Sequence, residues 1–100
     1  MKVMLWGGKV KARIIIEMIS EIYKGKAKIV GMFDKTLNEA PFHTSINVYS
    51  DRIGLEYLYK NATHFVVCIG GEHGYARFNT AQRLIEKGLK PLNLISEYGL

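Results

Sequence analysis

The chain is poor in the residues that most quickly fix a protein's class: 100 residues hold one cysteine, two prolines and one tryptophan. A lone cysteine excludes an internal disulfide, and the apolar stretch "HFVVCIG" around Cys68 is the setting of a buried, inert thiol. Long hydrophobic runs are missing too. Runs such as "III" at 14–16 and "FVVCI" at 65–69 fall far below the roughly 20 residues needed to cross a bilayer. Residues 1–6, "MKVMLW", lack the apolar stretch and small-residue cleavage site of a secretory signal, so a cytoplasmic location without a membrane partner is expected. No repeat, Ser-rich linker or low-complexity tract interrupts the sequence. At this length a single domain is expected, burying about two-thirds of its surface, with no second domain to close over a substrate.

Catalytic and metal signatures are equally scarce. His43 and His64 stand alone, and no group of His, Cys, Asp and Glu has the spacing of a zinc site. There is no G-x-S-x-G elbow and no P-loop lysine motif. Neither a metal ligand nor a catalytic residue is assigned.

What is present is an ordinary globular composition, 48% hydrophobic and 23% charged, with a formal net charge of +5. The excess is uneven. Residues 1–28 carry seven Lys or Arg against two Glu, whereas residues 29–100 carry seven of each sign. A nucleic-acid face would interleave aromatics with the lysines, and these do not, which argues against nucleic acid. An anionic small ligand or an acidic partner surface fits the excess at least as well.

Hydrophobic periodicity divides the chain into alternating elements. Residues 2–6 read as a strand broken by Gly7 and Gly8, and Ile14, Ile15, Met18, Ile19 and Ile22 mark one face of a helix over 9–23. A second strand follows at 27–33, then an aperiodic loop at 34–45 and a short strand at 46–49. Asp51 is placed to cap a helix over 52–60, with Ile53, Leu55, Leu58 and Tyr59 on its apolar side. Residues 63–69 form the strongest strand signal. Phe78, Ala81, Leu84 and Ile85 mark a third helix closed by Gly88, and 91–95 read as a last strand. Strands alternating with helices predict an α/β fold, a small Rossmann-like parallel sheet with helices on both faces.

In such a sheet ligands bind beyond the carboxyl ends of the strands, and three stretches converge there. The first, "GGKVKAR" at 7–13, is either a phosphate cradle using Gly7, Gly8, Lys9, Lys11 and Arg13 or a tight turn followed by solvated cations. It lacks the G-x-G-x-x-G pattern of dinucleotide binding, since Lys9 and Ala12 occupy the second and third glycine positions. The second is Asp34, after the second strand, which is either a ribose acceptor or a turn starter. The third, "CIGGEHGYAR" at 68–77, offers Gly70 and Gly71 for close approach of a ligand and His73 beside it. It can be a cradle, a structural turn, or a catalytic Glu72/His73 pair, the last only if a substrate proton lies within hydrogen-bond reach.

The order "GGKVKAR", "IVGMFD", "HFVVCIGG" and "ARFNTAQRLIEKGLKPLNLIS" resembles the N-terminal domain of bacterial sugar O- and N-acyltransferases of the sialic acid O-acetyltransferase and bacillosamine acetyltransferase type. The resemblance spans nearly the whole chain through a string of short features. It implies a nucleotide-sugar-binding domain for a UDP- or CMP-linked sugar. In that family the domain is joined to a left-handed β-helix where acetyl-CoA binds, a histidine acts as base and trimers form. Gly7, Ala12, Arg13, Asp34, Ile69 and Gly70 match the family's pattern. Its G-x-G-G-H-A-R turn differs here, with Lys9, Val10 and Lys11 in place of two glycines and the histidine. No hexapeptide repeat of a β-helix appears, so this chain is expected to bind substrate without catalysing and to hold no cofactor of its own. The alternatives are a stand-alone interaction module using the basic first helix and an NAD-binding Rossmann fragment.

Overall fold

The structure, a computed structural model, describes residues 1–69 and 74–94. In chain order the elements are β1 (Lys2–Trp6), α1 (Val10–Tyr23), β2 (Lys28–Phe33), β3 (Val48–Tyr49), α2 (Arg52–Asn61), β4 (His64–Val67), α3 (Gly74–Glu86) and β5 (Lys90–Pro91). The five strands form one parallel sheet in the order β3-β2-β1-β4-β5. The chain starts in the middle, steps outward to β2 and β3, then crosses back to β4 and β5. Strand order therefore reverses between β1 and β4, where crossovers on opposite faces leave a crevice at the carboxyl edge.

Alternation along β1 splits the core in two. Val3 and Leu5 pack on the α1 face with Ala12, Ile15, Ile19, Met32, Cys68 and Leu92. Met4 packs on the opposite face with Phe33, Leu58, Ala62, Phe65, Leu84 and Leu89, beneath α2 and α3. Helices thus cover both faces, as the βα alternation predicts. Residues 34–47 carry no helix. Instead Ala40, Phe42 and Ile46 lean on the α1-side core and complete the cover there.

Four apolar positions, Ile14, Ile53, Phe78 and Ile85, are exposed against expectation. Of the run 14–16 only Ile15 is buried, and Ile14 is 49% exposed, because the stripe facing the sheet is Ala12, Ile15 and Ile19. Small Ala12 lets the start of α1 sit close to the strands. Ile53, at 81%, and Phe78, at 61%, point outward, while Leu58 and Leu84 carry the burial of α2 and α3. On α2 the position facing the sheet belongs to Gly54, because the Tyr49 ring fills that space. A Cβ at Gly54 would lie 2.6 Å from Tyr49 Cβ, and one at Gly31 would lie 2.8 Å from Tyr49 Cε2. Two glycines form the slot in which Tyr49 packs.

The last strand also moves. It is Lys90–Pro91 and not 91–95, and Ile95 lies outside the described residues. The Lys90 amide donates to Thr63 O (3.1 Å) and the Leu92 amide to Phe65 O (2.9 Å), so the position between them faces away from β4. Pro91, which has no amide hydrogen, fits there because β5 is an edge strand. Among the described residues no helix is long and apolar enough to cross a membrane.

Candidate functional site

The site is built where β1, β2 and β4 end. Gly7, directly after β1, donates its amide to Phe33 O (2.7 Å), while the Cys68 amide donates to Trp6 O (2.7 Å). Gly7 has φ +103°, and a Cβ there would stand 3.2 Å from Cys68 O. Both the backbone angle and the closeness of β4 require glycine. Gly8 is buried, and its amide donates to Asp34 Oδ2 (3.0 Å). The other carboxylate oxygen, Oδ1, accepts from the Thr36 amide (2.9 Å) and the Thr36 hydroxyl (2.6 Å). Asp34 therefore latches the glycine turn after β1 to the turn after β2.

Burial works to raise the Asp34 pKa, but the Gly8 amide, the Thr36 hydroxyl and amide, and the charge of Lys9 together outweigh it and hold the carboxyl below its usual value of 3.8. Cys68, buried at the end of β4, behaves oppositely. Burial pushes its thiol up to about 12, only partly opposed by Lys11, so it is a poor nucleophile at neutral pH.

Beside the latch lies an open cleft of about 340 Å³ lined by Trp6, Gly7, Phe33, Asp34, Lys35 and Ile69. Trp6 and Phe33 form its aromatic wall, with ring centroids 4.8 Å apart and planes inclined by 48°. The cleft sits at the switch point of the sheet, combining an aromatic wall with a carboxylate and a lysine at its rim. That arrangement suits a ligand with a ring and polar substituents.

The structure divides the predicted residues. Gly7, Gly8 and Asp34 meet as one hydrogen-bonded unit. Lys9 stands at the N-cap of α1 with no side-chain cap bond, and Lys9 and Lys11 are exposed beside the cleft without lining it. Arg13 lines a separate groove with Ile16, Phe42 and His43, where its Nε is 3.9 Å from Glu17 Oε1. Gly70, Gly71, Glu72 and His73 lie outside the described residues. Sequence reasoning missed Trp6 and Thr36. Trp6 is the last residue of β1 and thus stands at the carboxyl edge, and the "DKT" pattern is a familiar side-chain-to-backbone turn, so both carried a readable signal.

The cationic excess of residues 1–28 also divides. Lys9, Lys11 and Arg13 lie at the carboxyl edge, whereas Lys2, Lys24, Lys26 and Lys28 lie at the opposite end of the sheet. The first helix is basic at its start and bounded by lysine beyond its end. No family model matches the chain, and neither the curated proteins nor the solved structures give a match.

Proposed function

We propose that this domain binds a nucleotide-linked sugar, of UDP or CMP type, in the cleft at the carboxyl ends of β1, β2 and β4. In this reading it is the substrate-binding domain of a sugar acyltransferase. The observation that carries the reading is the Asp34 latch, a charged hydrogen-bond network that fixes the glycine turn beside the cleft. Such a clamp is a familiar turn device, and what ties it to a ligand is its place, since it fixes Gly8 beside the cleft at the carboxyl edge of the sheet. The Trp6 and Phe33 wall supports a planar base, and Lys9, Lys11 and Lys35 supply positive charge for the phosphates. Resemblance to the sugar acyltransferases agrees with this placement of Gly7 and Asp34. Acetyl-CoA, the acyl donor of that family, belongs to its β-helix, and the part assigned to this chain is to hold the sugar.

The reading departs from the ribose role expected of Asp34. Both carboxylate oxygens are engaged internally, so Asp34 acts on a ligand mainly by holding the turn. An amide NMR titration with a UDP-linked amino sugar tests the proposal, with NADH as control. Shifts gathered at Trp6 to Lys11 and Phe33 to Lys35, absent with NADH, are the expected result. Equal shifts with NADH, or none with a UDP- or CMP-linked sugar, would remove it.

A further inference from the structure

The edge of the sheet opposite the cleft is a lysine rim. Lys2 and Lys28 are register partners on adjacent parallel strands, so their side chains leave the same face of the sheet. Lys90 stands two strands further along, on β5, paired with His64, which is itself paired with Val3, so it leaves the other face of the sheet at the same edge. Lys24 and Lys26 occupy the turn between α1 and β2. The backbone welds these positions into one unit. The Met1 amine donates to Lys26 O (3.0 Å), the Lys28 amide to Met1 O (2.9 Å), the Thr63 amide to Lys2 O (2.8 Å) and the Lys90 amide to Thr63 O (3.1 Å). With strands about 4.8 Å apart, Lys28 to Lys90 spans about 14 Å of a single edge.

Among the described residues no ion pair neutralises this charge, and the fold does not fully explain it. Among the described residues the one ion pair is Arg13 with Glu17, away from the rim, although Glu21 and Glu86 sit in the last turns of α1 and α3. Cations beyond a helix end offset the negative pole of its dipole, which accounts for Lys24 after α1 and Lys60 in α2. It does not account for Lys2, Lys28 and Lys90, which are on strands. Like charges directly across a strand pair are destabilising, so folding alone would not set Lys2 beside Lys28.

The chemistry of the rim selects its partner. The strand and turn positions of the rim are lysine throughout, hydrated point charges that suit many diffuse phosphates and not a planar, bidentate target. Of the aromatics beside these lysines, Tyr23 is half-buried with its hydroxyl donating to Asn93 O. The half-buried Tyr59 ring is covered by Lys87, whose Nζ lies 5.4 Å from its centroid, so neither is presented to stack bases. The connections on this side are short, residues 24–27, 62–63 and 87–89, and leave nothing that protrudes into a groove of a duplex. A low, cationic edge without a projecting loop fits a flat anionic surface.

We infer that the lysine rim docks the domain on an anionic phospholipid surface, with the headgroup phosphates as its ligands and the ligand cleft turned away from the bilayer. Attachment is electrostatic and peripheral, so it needs no spanning segment. Each lysine near such a surface adds roughly fivefold to partitioning, and a cluster of four or more is enough to hold a protein there at moderate ionic strength.

Co-sedimentation with vesicles tests this. The chain should pellet with vesicles of equal parts phosphatidylserine and phosphatidylcholine, stay in solution with pure phosphatidylcholine, and release as salt is added. Lys28→Glu combined with Lys90→Glu should reduce partitioning at least roughly thirtyfold. Lys9→Glu with Lys11→Glu, at the other end of the sheet, should leave most of it intact. Unchanged far-ultraviolet circular dichroism separates lost docking from lost folding, and the salt and lipid dependence of the unaltered chain stands without any variant. Three results would overturn the inference: equal binding to both vesicle types, greater loss from the Lys9 and Lys11 pair than from the rim pair, or tighter binding to duplex DNA than to anionic vesicles at the same ionic strength and phosphate concentration.

Discussion

Asp34 carries more of the site than any other single residue. Its two oxygens satisfy the Gly8 amide, the Thr36 amide and the Thr36 hydroxyl, and the Gly8 amide is otherwise buried. Truncation by Asp34→Ala leaves that amide unpaired and should cost about 1–3 kcal/mol in urea-induced unfolding. The folded-state pKa is depressed, so the latch contributes in full above 3.8, the unfolded value, and its contribution is lost as pH falls through the lower folded value. The unaltered chain should therefore lose stability on acidification in that window more steeply than Asp34→Ala does. Position after β2 marked Asp34 as a site residue in the sequence, but its role was not legible. A carboxylate following a strand serves a ribose or a backbone equally well, and only the folded turn brings Gly8 within reach. The masking of such roles is general for local hydrogen bonds between residues distant in sequence.

Elements with strong periodicity read directly. β1, β2, β4 and the three helices lie where alternation, apolar spacing, the Asp51 cap and Gly88 put them, and the Asp51 side chain does accept from the Gly54 amide at 2.8 Å. Facing was harder to read than extent. Ile14 and Ile53 obey a helical stripe yet point outward, because the stripe chosen depends on what lies opposite: close strand backbone for Ala12, an aromatic ring for Gly54. Strand order was not legible either, since it is set by crossovers and not by any one segment. The Tyr49 slot supplies a test at this scale. In an isolated helix Gly54→Ala would stabilise by about 1 kcal/mol. Here the new Cβ meets the Cβ of Tyr49, close to the backbone and unable to swing away, so the substitution should destabilise by about 1–3 kcal/mol in denaturant unfolding. Adding Tyr49→Gly, which takes away the Cβ as well as the ring, should remove most of that incremental cost, and a double-mutant cycle reads the coupling.

Across the whole molecule, charge is separated by the sheet. The cleft edge mixes Asp34, Asp51, Lys9, Lys11 and Lys35, while the far edge gathers lysines with few acids near them. Reversing one member of the Lys2 and Lys28 pair replaces a repulsion with an attraction. Lys28→Glu should accordingly raise stability by about 0.2–1 kcal/mol at low salt, with the gain fading as salt is added, in thermal unfolding followed by circular dichroism. A decrease would mean that Lys28 already has a stabilising role in the free protein.

The cover of the sheet on the α1 side has one further consequence. Between β2 and β3 the chain crosses as residues 34–47, without the repeating backbone bonds that a helix would give. Its amides rest on a few turn contacts, such as Thr44 Oγ1 to the Ile46 amide at 3.2 Å and Asp34 to Thr36. Deuterium should enter this segment by local opening, well before it reaches β1 or β4, whose amides exchange only with the whole sheet. The fold thus contains a slow inner unit and a faster outer cover, and the seam between them runs through Asp34.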